Sequence, residues 1–140
     1  MTLRQSVETR LREQLPDLRE VAGAASLDAV LGGRVSAPAA YVFREAQQAS
    51  PNEGANFITQ RIGVRLGVVL VVRNVRDPRQ GDSSDEAEAL SLQVRDALYG
   101  WAPAAEAEPL EYAGGRLVSM QNGFYFWMDS YTTATYWRAT

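Results

Sequence analysis

Cysteine, histidine and lysine are all missing from this 140-residue chain, and each absence closes a class of chemistry. Without cysteine there are no disulfides and no thiolate nucleophile. Without histidine the usual general base, the usual metal ligand and every Ser-His or Cys-His pair are gone. All fourteen basic residues are arginine, so there is no P-loop lysine, no Schiff base and no kinase-type phosphate lysine. No run of about 18 apolar residues exists to span a membrane. Residues 1–15 mix charged and apolar side chains and lack the apolar core of a signal peptide, so the chain is expected to fold in the cytoplasm where it is made. No internal repeat is visible. These exclusions point away from an enzyme, with no catalytic residue, metal or cofactor expected.

What is present is ordinary for a globular protein: 46% apolar and 22% charged residues, with a net charge of −3. The length suits one domain over residues 1–140, able to bury roughly 70% of its unfolded surface. The negative charge argues against a polyanion binder.

Local patterns predict an α+β fold. Thr2 and Gln5 have the spacing of a capping box, and Leu3, Val7 and Leu11 form one apolar stripe until Pro16 stops it. They predict a helix over 3–14. Residues 18–22 read as a short edge strand. Residues 26–31 read as one or two helical turns closed by Gly32-Gly33. Residues 39–44 read as a strand and 47–55 as a loop.

The clearest strand spans 57–75. Its even positions from Ile58 to Val72 are apolar apart from Gln60. Its odd positions begin polar or glycine and turn apolar at Val69. The first half should be half-buried and the second buried on both faces. Such a strand is about three times the usual length. Either it bends at Gly63 or Gly67, or one end projects from the body to meet a neighbour.

A polar loop over 76–84 leads to a helix over 84–99, opened by a Ser83–Glu86 capping box and carrying Ala87, Leu90, Val94, Ala97 and Leu98 on its buried face. An Ala/Glu/Pro linker covers 102–109. Then comes a hairpin of 117–120 and 124–131 about Asn122-Gly123. That turn predicts the pairs Met120–Tyr125, Val118–Trp127, Arg116–Asp129 and Gly114–Tyr131. The resulting architecture is a mixed, largely antiparallel sheet with a long central strand, flanked by the N-terminal helix and the helix near 84–99.

Candidate chemical groups have simpler readings. Asp82, Asp85, Glu86 and Glu88 suit a helix N-terminus, where the dipole favours acids. Glu106, Glu108 and Glu111 lie in a linker that should not fix a carboxylate pair. Gly63-x-x-x-Gly67 lies inside a strand, with neither the helix nor the lysine of a phosphate loop. Arg73, Arg76 and Arg79 fall at a strand end and in the next loop, where they would meet DNA phosphates, an acidic partner or solvent. The C-terminal aromatics Phe124, Tyr125, Phe126, Trp127, Tyr131, Tyr136 and Trp137 occupy both strand parities. One face can supply the core; the other needs cover from within the domain or from a neighbouring subunit.

Several stretches together resemble phage tail terminator proteins. They are Leu98-Tyr99-Gly100-Trp101-Ala102-Pro103, the run from Pro109 through Gly114-Gly115 to Leu117, Gly123 with Trp127, and the closing Tyr-Thr-Thr. Upstream, residues 21–27, 38–42 and the Val-rich strand opened by Gln60 fit as well. The resemblance covers nearly the whole chain and implies a compact subunit of a ring, hexameric in the family, on the head-proximal end of a tail tube. Such a ring ends tube growth and offers a surface to the head-completion (connector) protein. Genomic DNA passes through its bore without sequence-specific contact. The implied location is the virion tail or neck, with no cofactor.

The family supplies no functional residues to carry over, so the expected subunit or partner contacts come from the residue pattern. They are Arg61 and Arg65 on the long strand, Arg73, Arg76 and Arg79 at and beyond its end, and Tyr125, Trp127, Tyr131 and Trp137. Two other functions fit the sequence. One is a different neck component, a head- or tail-completion protein. The other is a small cytoplasmic ligand-binding or enzyme domain relying on carboxylates, Ser, Tyr or Arg.

Overall fold

The computed structural model describes residues 1–74 and 82–139. Eight elements run in the order α1 (Leu3–Gln14), β1 (Glu20–Gly23), α2 (Leu27–Gly32), β2 (Ala39–Ala49), β3 (Thr59–Arg73), α3 (Asp82–Leu98), β4 (Glu111–Gln121) and β5 (Phe124–Arg138). The strands form one mixed sheet in the order β1-β2-β3-β5-β4. Only the β1–β2 pair is parallel, and α2 provides the crossover that a parallel pair needs. The fold is α+β, as the alternating patterns predict.

Helix α1 forms where local chemistry places it. The Thr2 hydroxyl accepts from the Gln5 amide, and the Gln5 side chain accepts from the Thr2 amide. Its apolar stripe buries Val7 and Leu11. Arg10 ties α1 to α3 by donating to the Ala97 carbonyl at 2.9 Å, with its guanidinium over the Trp101 ring.

The sheet separates two cores. Helices α1 and α3 cover one face, where Val64, Leu66, Val68, Leu70 and Val72 of β3 meet Val94 and Leu98 of α3. On the opposite face Val69 and Val71 pack with Tyr41, Phe43, Phe126 and Met128 beneath Val30 of α2. Cover on both sides explains why the second half of β3 is apolar at every position. The aromatics of β5 are divided in the same way: Tyr125 and Tyr131 face α3, and Phe126 faces α2.

Several sequence expectations change, and the hairpin strands run longer than predicted, to Glu111 in β4 and to Arg138 in β5. Strand β2 runs to Ala49, five residues past its predicted end, because Gln47, Gln48 and Ala49 pair with Val64, Gly63 and Ile62. Strand β3 starts at Thr59, leaving Phe57 and Ile58 in the preceding loop, and ends at Arg73. Helix α3 starts at Asp82, so Ser83 lies inside it, donating to the Arg73 carbonyl and the Asn74 side chain. The hairpin register also moves. Met120 faces Tyr125 as predicted, but a bulge at Val118 then shifts the partners by one. Leu117 faces Trp127, Arg116 faces Met128 and Gly115 faces Asp129, while a second bulge at Ala113 puts Tyr112 opposite Tyr131. The predicted Arg116–Asp129 pair therefore does not form.

The long strand carries no bulge, and the register shift beside it falls at Glu45 of β2. Its pairing with β5 is continuous from Thr59–Arg138 to Arg73–Phe124. At about 3.3 Å per residue it spans roughly 50 Å. Strand β1 pairs with β2 only as far as Val42, and β4 pairs with β5 only as far as Thr132. Beyond those points β2, β3 and β5 continue as a three-stranded arm, with Arg44 to Ala49 exposed along β2.

Candidate functional site: an assembly surface

The arm ends in a built surface. Asn52 organises its loop: one side-chain oxygen accepts from the amides of Gly54 and Thr59, both at 2.9 Å. The Gln60 side chain donates to the Ser50 carbonyl at 3.0 Å, and the Ala139 amide donates to Ile58 at 2.9 Å. The loop so held presents Phe57 and Ile58 at the end of the arm where β5 carries Tyr136 and Trp137, adjacent strand residues on opposite faces of the sheet. All four are exposed, Trp137 by 75%. Arg138 lies over the Phe57 ring, 4.3 Å from its centre. Soluble proteins rarely leave such an apolar group uncovered unless another molecule covers it.

Two ion pairs brace the arm, the first to the linker before β4 and the second across β2 and β3 at its base. Arg61 meets Glu108 in a two-pronged contact, Nε and one terminal nitrogen donating at 2.9 and 2.8 Å, and the Tyr136 hydroxyl donates to the same carboxylate at 2.6 Å. These donors hold the Glu108 carboxyl down to about 2, Arg61 contributing most. The bonded carboxylate in turn raises the pKa of the Tyr136 phenol. The linker carrying Glu108 is docked, since the Glu108 amide donates to the Ala134 carbonyl at 2.9 Å on the outer edge of β5. The backbone pairing thus fixes one carboxylate of the linker, Glu108, against Arg61 of the same chain. The second brace is Arg65 to Glu45 at 2.7 Å, with Ser130 donating to the other Glu45 oxygen at 2.9 Å.

Behind the arm, the turn side of β5 is held by a buried carboxylate. Asp129 is fully enclosed. Its Oδ2 accepts from the Ser91 hydroxyl at 2.5 Å. Its Oδ1 accepts from the Tyr112 hydroxyl and the Trp127 indole N–H, both at 2.9 Å. Arg95 lies 3.9 Å from the Tyr112 ring centre and closes that side. Burial drives the Tyr131 phenol well above its ordinary pKa, and the nearby Asp129 charge adds to the effect. Gly115 makes room for the cluster: a Cβ there would stand 2.3 Å from Asp129 Oδ1. Neighbouring Gly114 has φ +114°, which suits glycine alone.

The sequence candidates fall in different places. Arg61 and Arg65 lie on the arm, each already engaged by a carboxylate of the same chain. Trp137 lies at the tip. Arg73 is exposed at the other end of β3. Arg76 and Arg79 are outside the described residues. Trp127 is half-buried and spends its N–H on Asp129. Tyr125 and Tyr131 are core residues and contribute almost no surface. Pattern reading missed Phe57, Ile58 and Tyr136 as surface groups. The apolar alternation carries Phe57 and Ile58 into the predicted strand, although Asn52 and Gly54 mark the turn that sets them apart.

Comparison with curated proteins gives no match. A family model described as phage tail terminator protein matches residues 3–140. The matched span contains the Ala113 bulge with Gly114 and Gly115 after it, the Asp129 cluster and the whole arm. With nearly its full length matched, the chain belongs to the phage tail terminator protein family, structural components of the phage virion.

Proposed function

We propose that the protein forms a ring, a hexamer in the simplest case, on the head-proximal end of the tail tube. There it stops tube growth, presents the surface to which the head-completion protein joins, and lets genomic DNA pass through its bore. The family match over residues 3–140 carries this reading. The arm supports it, because ring subunits need surfaces that project and meet unlike surfaces on the next copy. Capping would be geometric: one face of the ring matches the last tube layer and the other does not, so no further layer adds. Arg65 and Arg61 are already neutralised within the chain, and the net charge is −3. Both features suit a bore through which DNA slides without sticking, since free cations would hold phosphates. On this reading the subunit assembles in the host cytoplasm and acts within the virion neck.

Adding the purified protein to tail-tube protein during polymerisation tests this. Tubes should stop short, with mean length falling as the ratio of added protein rises. Unchanged tube lengths would contradict the proposal and favour another neck role.

A further inference from the structure

At the opposite end of the molecule from the arm tip lies an open groove of about 550 Å³, between the end of α1, the outer side of α3 and the starts of β1 and β2. Its apolar floor includes Leu15, Leu18, Val72, Leu90 and Ala97. Its rim carries Asp17, Glu86 and Asp96, and no described lining residue is basic. The arm tip has the complementary character. Phe57, Ile58, Tyr136 and Trp137 are exposed apolar groups. Arg61 and Arg65 are paired with Glu108 and Glu45, which leaves Arg138 and Glu53 as the described charges of the tip, while Arg44 lies at the base of the arm opposite Leu66. The tip is therefore apolar and carries one cation, Arg138, beside its exposed aromatic groups, and the groove is apolar with an acidic rim.

We infer that the arm tip of one copy seats in this groove of the next copy. Trp137 and Ile58 supply the apolar anchors, and Arg138 faces the acidic rim. This inference rests on the ring reading and specifies which surfaces close the ring. Thr59 and Val72 lie at opposite ends of β3, about 40 Å apart at strand rise. A chain cannot satisfy its own groove across that distance. Because the two surfaces differ, each contact leaves one free tip and one free groove, so copies add head to tail until a closed ring consumes both. The hydrogen bonds accepted by Asn52 and donated by Gln60 and Ala139 hold the tip in shape before contact, which lowers the ordering cost of association.

The absence of cysteine makes cross-linking a clean test. Ile58→Cys and Ala89→Cys place one thiol on the tip and one on the exposed groove wall. Mixed single variants, oxidised with copper phenanthroline in the presence of tail tubes, should give a disulfide-linked dimer. The double variant should give a ladder ending at the ring size. Neither single variant alone should do so. Trp137→Ser should raise the concentration needed for assembly at least about tenfold, while leaving the unfolding midpoint nearly unchanged because the side chain is exposed. Tube-capping rings that show no tip-to-groove cross-link and tolerate Trp137→Ser would overturn this inference and leave the ring reading standing. If no ring forms with or without tubes, and no cross-link appears, both fall together.

Discussion

Asp129 is a carboxylate with no contact with water, and among the described residues no cation pairs with it directly. Burying a charge is tolerable only when hydrogen bonds replace its solvent shell. Ser91, Tyr112 and Trp127 supply three donors from α3, β4 and β5, so this one side chain joins a helix to two strands. Gly115→Ala should cost about 2–3 kcal/mol in denaturant unfolding, because the new Cβ displaces a carboxylate locked by its partners. Asp129→Ala should cost about 3 kcal/mol by leaving buried donors unmatched. The double variant should lose less than the sum, since both changes damage one network; strict additivity would show that the cluster does not act as a unit.

Glu108 makes a pH prediction at the same scale. Its pKa is lowered from 4.5 to about 2 by Arg61 and Tyr136. A depressed carboxylate stabilises the fold above its unfolded value, and that contribution fades as pH falls from about 4.5 towards 2. Both side chains keep contact with water, so salt screens the pair and its effect on global stability is small. The direct readout is NMR titration of the Glu108 carboxyl, which should move up towards the ordinary carboxylate range in Arg61→Gln. An unchanged titration would show that Arg61 is not the main cause.

At the scale of elements, what was legible followed from local chemistry. The bounds of α1 match because a capping box and Pro16 mark both ends. Turn chemistry correctly fixed the first hairpin pair, Met120–Tyr125. It could not reveal the bulge at Val118, since a valine in a bulge looks like any strand valine and every later partner depends on it. Strand β2 was cut short for a different reason. Gln47 and Gln48 have water on their exposed side chains and carry no apolar alternation, yet they pair because β3 lies alongside. The arm loop also depends on one polar side chain. Asn52→Ala should speed amide exchange at Gly54 and Thr59 while leaving core β3 amides such as Val69 protected. Slow exchange at both amides in the variant would show that the loop is held by something else.

At the scale of the molecule, the strand order β1-β2-β3-β5-β4 inserts the last strand beside the third. Pairing between distant segments leaves no local mark, so the sequence predicts strands without their order. Side-chain alternation likewise shows that β5 has two apolar faces without showing what covers each. Within the body, α3 and α2 cover them, which takes Tyr125 and Tyr131 into the core. At the arm no helix of the described residues does, and Trp137 and Ile58 stay exposed. The excess length of β3 was visible from the start because a 15-residue strand outruns any body that two or three short helices can cover. That excess is the sequence feature on which the proposed ring contact rests. Imaging purified tail tubes by negative stain, with and without the protein, tests the central claim most directly. The account predicts a ring at one end of each tube and nowhere along its length. Bare tube ends at saturating protein would contradict it.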